Sequence, residues 1–351
     1  MKTVARMALT PGQEVGENVY TAQNELLIPA DTILTKSLID KLARHNIVCV
    51  SVKDSADYAT THFERIRLSQ GFIHFEQIYN ECMIDYKKIM LDFVENGKAP
   101  DISALMGIYE KIRGCTSTGE QLIDYLYNML PSEDEMTHAH CLNSALIAGV
   151  FGIWLGLSYE DIDILIQSGF FYDIGKLKLP DKLLWKPGKL NDFEYNWIKT
   201  HTTIGYDMIK DLGLNEHVLN ATLMHHERCD GSGYPSKLIG EQIDIFALYM
   251  AIIDSYEAMT SARSYRPTLI PFQVIENFER TGYEKYGAGI VMTIMEHIAN
   301  TQLGMTVRLS DDRIADVLLT NRNALTRPFV KCGEELIDLA KQPELKITAV
   351  L

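Results

Sequence analysis

Between residues 131 and 300 apolar side chains recur at intervals of three and four, and that period commits the stretch to helix after helix. Leu142, Leu146, Val150, Ile153 and Leu157 fall on one apolar stripe, and Ile162, Leu165, Ile166 and Gly169 continue in the same style. The most apolar window, Ser144 to Leu157, has 14 residues. That is too short to cross a bilayer and reads as a buried helix. Upstream, Phe72, Phe75, Ile78, Tyr79 and Met83 sit at helical spacing in a segment with few prolines or glycines.

The two ends have a different texture. Thr10-Pro11-Gly12 gives a turn, short alternating runs surround Val19 and Leu26, Thr35 caps a helix over 36–45, and Ile47 to Val52 is β-rich. Near the C-terminus, Thr306-Val307-Arg308-Leu309, Asp316-Val317-Leu318-Leu319 and Phe329-Val330 read as short strands. Asp311-Asp312 and Asn321-Arg322-Asn323 read as the turns between them. The expected fold is mainly α: a helical bundle with a small N-terminal α/β module and a short C-terminal β appendage. The expected divisions are an accessory module at 1–55, a helical linker region at 56–130, the main helical domain at 131–300 and the β-rich appendage at 301–351.

Bulk properties exclude several function classes. A composition of 46% hydrophobic and 23% charged residues is globular. No leader pattern opens the chain, and six cysteines without a CxxC pair read as reduced thiols, so the expected location is cytoplasmic, with no membrane involvement. A net charge of −14 argues against binding a nucleic-acid polymer, though not against a small anion held by a few local cations.

Six of the ten histidines lie between 138 and 226. Histidine, aspartate and glutamate are ligands for first-row divalent metals. The densest segment is His225-His226-Glu227-Arg228-Cys229-Asp230-Gly231-Ser232-Gly233-Tyr234-Pro235. Adjacent histidines diverge on a helix, so they hold one metal only from a helix end or else serve two centres. The glycines and proline then force a turn that sets backbone donors and the Tyr234 ring beside them. Asp254 lies inside an apolar helix, where a buried unpaired carboxylate is costly, so a metal or an ion pair is expected there.

The HHExxDGxGYP pattern resembles the signature of the HD-GYP family, a branch of the HD phosphohydrolases. Tyr172-Asp173-Ile174-Gly175-Lys176 resembles the family's HDIGK motif, and Leu184 to Leu190 its LLKPGKL stretch. His201 with Gly205 matches HxxxG, and 251–266 its IADxYDALTxxRxYR run. The resemblance covers about 130–285. It implies a cyclic di-GMP phosphodiesterase, or one for a related cyclic dinucleotide, yielding linear dinucleotide or GMP in bacterial signalling. It also implies two divalent ions, iron or manganese, or only one. Asp173 would bridge; His140 and Asp254 would hold the first ion, and His201, His225 and His226 the second. Two cations can activate a water, neutralise the diester oxygens and stabilise the leaving alkoxide. Asp173 and Lys176 would act in catalysis. Lys176, Arg263, Arg266, Tyr234, Asp230 and Gly233 would contact substrate. Lys182, Lys186 and Lys189 read as a solvated face.

Three positions depart from the family. Tyr172 stands where the family has a ligand histidine; a phenol must ionise to ligate well, so the first ion should be weakened, lost or completed by water. Met136 stands where some members carry an extra ligand glutamate, which favours fewer than three ions. Glu257 replaces the usual aspartate, a one-methylene change given little weight. Two readings stay open beside the enzyme: a catalytically silent receptor for the cyclic dinucleotide, signalling through the N-terminal module or a partner protein, and a structural domain with no ligand. A homodimer through the helical region is compatible with either active reading.

Overall fold

A computed structural model describes residues 2–6, 9, 13–21, 25–30, 32–45, 47–53, 61–130, 135–184, 186, 188–261 and 269–351. The chain divides into two compact units, Met1–Ser69 and Gln70–Leu351.

In the first unit, β1 (Lys2–Ala5) pairs antiparallel with β4 (Cys49–Val52), and β2 (Val19–Tyr20) with β3 (Leu26–Ile28). Helix α1 (Lys36–Arg44) begins where Thr35 accepts a hydrogen bond from the Leu38 amide, and Val15, Ile28, Leu34, Leu42, Val50 and Val52 form the core. A capping box between Thr61 and Glu64 starts α2 (His62–Arg67).

The second unit is the helical bundle. It runs α3 (Gln70–Asn96), α4 (Ile102–Arg113), α5 (Gly119–Asn128), α6 (Met136–Trp154) and α7 (Tyr159–Phe171). Shorter pieces follow: a 3-10 turn (Ile174–Lys178), α8 (Asp181–Leu184), α9 (Asp192–Lys199), α10 (His201–Ile209) and α11 (Glu216–Met224). The bundle closes with α12 (Ile245–Thr260), α13 (Pro271–Tyr286) and α14 (Ala288–Asn300).

Helix α6 is the axis, touched by α3, α4, α5, α7, α12 and α14. Its burial extends round most of the circumference, so the expected single stripe is too narrow: Ala145, Ile147 and Phe151 are as buried as Leu142 and Leu146. Ile153, expected in that stripe, is 60% exposed. Leu157 lies beyond the helix, which ends at Trp154 before Gly156 takes a left-handed φ of 68°. The α6–α7 contact is close because Gly169 lies on the α6 backbone; a Cβ there would come within 2.5 Å of Ala145 Cα.

The tail forms a five-stranded antiparallel sheet in the order β8-β7-β6-β5-β9. Its strands are β5 (Thr306–Leu309), β6 (Ile314–Leu319), β7 (Phe329–Cys332), β8 (Glu335–Asp338) and β9 (Ile347–Val350). The three strands expected from alternation are present, and β8 and β9 add to them. Among the described residues no helix is long and apolar enough to cross a membrane.

Candidate metal centre

Four helices and one turn converge on Asp173. The residue follows the end of α7 and opens the 3-10 turn, whose Gly175 packs against α10; a Cβ on Gly175 would collide with the His201 carbonyl and lie 2.7 Å from the Gly205 amide. Gly205, one turn into α10, reciprocates that approach, so His201 at the start of α10 is held beside Asp173. Helix α6 supplies His140 and α12 supplies Asp254. His225 caps the C-terminal end of α11, with His226 directly after it. Of the two arrangements open to adjacent histidines, the helix end is the one found.

Two groups of side chains offer ligand atoms within 4.8 Å of one another: Asp173, His201, His225 and His226 in one, and His140, Asp173 and Asp254 in the other. Asp173 belongs to both and is fully buried. Its Oδ1 faces His201 Nε2 at 3.2 Å and His225 Nε2 at 3.6 Å. Its Oδ2 faces His140 Nε2 at 3.3 Å and Lys176 Nζ at 2.5 Å. Asp254 Oδ1 is 3.0 Å from His140 Nε2. Burial alone would raise the Asp173 carboxyl, but the Lys176 ammonium and the His140 ring beside Oδ2 hold it well below the usual range, so it is a carboxylate.

The far sides of the rings decide what the near sides can do. His201 Nδ1 donates to the Ile198 carbonyl at 2.6 Å, and His225 Nδ1 lies 3.1 Å from both the Ala221 and Thr222 carbonyls. Each ring therefore carries its proton on Nδ1 and turns the Nε2 lone pair inward. Burial lowers the pKa of His201, and burial with the neighbouring His225 lowers that of His226 further, keeping both neutral, as metal ligation requires. Among the described residues, none donates a hydrogen bond to Asp173 Oδ1. Lone pairs thus face a buried carboxylate oxygen with no proton between them, an arrangement that a cation resolves. The donor set fits a first-row divalent ion.

On the other side, His140 Nδ1 donates to Glu257 Oε2 at 2.5 Å. Glu257 is itself held by Asn143 Nδ2 at 3.0 Å and by the Ser261 hydroxyl, and Tyr79 donates to Asn143 Oδ1 at 2.7 Å. Burial works against charge on His140, yet the carboxylates of Glu257, Asp173 and Asp254 raise its pKa well above the usual value. In the sequence Glu257 carries little weight, as a one-methylene departure from aspartate. Its signal was a carboxylate one helical turn from Asp254, on the same buried face of α12.

Tyr172 is fully buried, and its hydroxyl pairs with Ser144 Oγ at 3.0 Å. The ring lies 5.6 Å from that of His140 and 4.9 Å from that of His225. Burial, reinforced by the charges of Asp173 and Asp254, pushes the phenol pKa well up, so it stays neutral.

The glycine-rich loop folds back over the histidines. Fully buried Glu227 accepts from the Ser236 amide at 2.6 Å and the Leu238 amide at 3.0 Å. Gly233 lies so near that a Cβ would sit 2.5 Å from the His226 carbonyl. Tyr234 stacks on His226 at 4.7 Å. Asp230 is exposed and closes the turn by accepting from the Ser232 amide and hydroxyl. Lys182, Lys186 and Lys189 are exposed, and Lys186 pairs with Glu194 at 2.6 Å, consistent with a solvated face. Met136 begins α6. Arg263 and Arg266 lie outside the described residues.

The HD domain family model matches residues 124–289. Over 169 residues the chain is 34% identical to the cyclic di-GMP phosphodiesterase response regulator RpfG of Xanthomonas campestris pv. campestris, covering 47% of this chain and 42% of that one. A cyclic di-GMP phosphodiesterase of Thermotoga maritima is 28% identical over 269 residues, 72% of each chain. The 3'3'-cGAMP-specific phosphodiesterase 1 of Vibrio cholerae is 37% identical over 142 residues, 40% of this chain and 33% of that one. The chain thus spans less than half the length of RpfG. Among solved structures, Bd1817 of Bdellovibrio bacteriovorus, described as an HDG"Y"P protein, shares the fold at a TM-score of 0.51 and 12% identity, covering 85% of this chain and 99% of that one.

Proposed function

Because residues 124–289 match an HD domain, we propose that this chain is a metal-dependent phosphodiesterase for cyclic di-GMP or a closely related cyclic dinucleotide. The observation that carries the proposal is the Asp173 carboxylate, buried, without a hydrogen bond on Oδ1 among the described residues and faced by inward histidine lone pairs. In this reading His201, His225, His226 and Asp173 hold one ion, manganese or ferrous iron. His140, Asp254 and Asp173 hold a second, weaker one. Ions bound there would supply an activated water and neutralise charge on the diester. Lys176, whose Nζ lies on Asp173 Oδ2, adds a cation at the edge of the cluster. Tyr234 walls the histidine side, and Arg263 and Arg266 are proposed phosphate contacts.

A specific observation favours a second reading, a receptor that binds the cyclic dinucleotide without cleaving it. The Tyr172 hydroxyl is bound to Ser144 and kept neutral, so the His140 half has three protein donors and no phenolate to add. One experiment separates the two: metal content and cyclic di-GMP turnover on anaerobically purified protein, with manganese or ferrous iron added. The enzyme reading expects linear product, loss of turnover in His225→Ala, and a gain in metal content and rate in Tyr172→His. Binding with no product in any variant would establish the receptor instead.

A further inference from the structure

Helix α9 ends two residues before His201 and presents an unusual surface for so short an element: Phe193, Tyr195 and Trp197 are 74%, 47% and 42% exposed. Tyr195 and Lys199, four residues apart, share one face, and the Lys199 ammonium lies 4.3 Å from the Tyr195 ring centre and 5.4 Å from that of Tyr234. Tyr234 in turn stacks on His226 at 4.7 Å and 24°, and meets the His201 ring at 6.4 Å. A continuous row therefore leads from the candidate metal ligands outward: His226, Tyr234, Lys199, Tyr195.

The row is fixed relative to the centre. The Ile198 carbonyl, in the last turn of α9, accepts the His201 Nδ1 proton at 2.6 Å, so one helix end both orients a candidate ligand and carries Lys199. The other end is fastened by the Asn191–Glu194 capping box and the Lys186–Glu194 pair. Core packing does not account for the outer part of the row. Tyr195 is exposed, and Lys199, among the described residues, pairs with no carboxylate; its ammonium makes a 3.4 Å contact with Asn196 Oδ1.

We infer that Tyr195, Lys199 and Tyr234 form a purine subsite of the proposed phosphodiesterase, taking one base of the cyclic dinucleotide while its phosphodiester lies at the metal centre. The inference rests on the proposed function and adds the base-recognition element to it. An aromatic face stacks any nucleobase, and an ammonium held over such faces adds cation–π attraction. Lys199 also supplies selectivity, since lysine donates well to guanine O6 and N7, whereas adenine offers N7 beside an amino donor. The subsite therefore prefers guanine, which bears on the choice between cyclic di-GMP and adenine-containing relatives.

The test is calorimetric binding to the manganese-loaded full chain, with cyclic di-GMP, cyclic di-AMP and inorganic phosphate as probes, for the wild type, Tyr195→Ala, Tyr195→Phe and Lys199→Met. Stacking on one base implies roughly a 5- to 150-fold loss of cyclic di-GMP affinity in Tyr195→Ala. Tyr195→Phe should retain binding, and manganese and phosphate affinities should not move. Lys199→Met should bring the two cyclic dinucleotides toward equal affinity. Unchanged cyclic di-GMP binding in Tyr195→Ala and Lys199→Met overturns the subsite and leaves the proposed function standing. A parallel loss of manganese affinity in Tyr195→Ala also overturns it, assigning Tyr195 to support of His201. A wild type that binds manganese and phosphate but no cyclic dinucleotide overturns both the subsite and the proposed substrate.

Discussion

At the residue scale, the hydrogen bond on the far nitrogen of each imidazole decides whether it can serve as a ligand. His201 and His225 give that proton to backbone carbonyls, which no substitution at another side chain can remove. His140 gives it to Glu257, which can be substituted. Glu257→Gln would set an amide against His140 Nδ1 and Asn143 at once. Its oxygen can satisfy the donor of one, while its NH2 meets the other and favours the tautomer with the proton on Nε2. Loss of such an outer partner costs roughly 10- to 100-fold in metal affinity. A manganese titration of Glu257→Gln should therefore show the weaker of two sites displaced by that factor, with far-ultraviolet circular dichroism unchanged; two unaltered sites would remove Glu257 from the centre's support. The ligand candidates themselves were legible because their residue types and order carry a motif. The weight of Glu257 was not, because a one-methylene change is small on paper. Here it is the length that reaches an imidazole 117 residues away.

At the scale of elements, glycines divide by what stands opposite them. Gly175 and Gly205 let the 3-10 turn and α10 approach backbone to backbone, which sets the distance between Asp173 and His201. Gly175→Ala must push these apart, at about 1–3 kcal/mol for such overpacking, and manganese affinity should fall with stability. Gly107 in α4 is exposed, with open space where a Cβ would stand, so Gly107→Ala should stabilise by about 0.5–1 kcal/mol through helix propensity. Urea unfolding of the pair reads both signs; a neutral Gly175→Ala would mean that the turn can slide on α10 without cost. Sequence periodicity located α6 and α7 but could not show that α6 is enclosed nearly all round, because a stripe records one neighbour whereas several helices and the 3-10 turn pack on this helix. In the tail, alternation revealed β5, part of β6 and part of β7. Strand β8 buries Ile337 within a run of exposed or half-exposed residues, and β9 is defined by its pairing with β5 some forty positions away, a contact no local pattern carries.

For the whole molecule, the two units have separate grounds for stability, and only one of them contains the candidate centre. The first rests on an apolar core that includes Val15, Leu42 and Val52. The second buries Asp173, His201 and His225 completely, with lone pairs turned on one another. That arrangement opposes folding, and in the proposed function a cation relieves it, so binding energy at the centre would become folding energy of the second unit. At an ion concentration 100 times the dissociation constant the gain is about 2.7 kcal/mol. With an unfolding entropy of about 2.1 cal/mol/K per residue over residues 70–351, the unfolding midpoint should rise by about 4–5 °C. Scanning calorimetry with manganese and then with a chelator should show this shift and its reversal in the transition of residues 70–351, while heat absorbed by residues 1–69 stays in place. His225→Ala should lose most of the shift, since it removes a ligand from the four-donor group. A shift of full size in His225→Ala would locate the ion elsewhere, and no shift in the wild type would leave the buried lone pairs of Asp173 and its histidines to be explained without a metal.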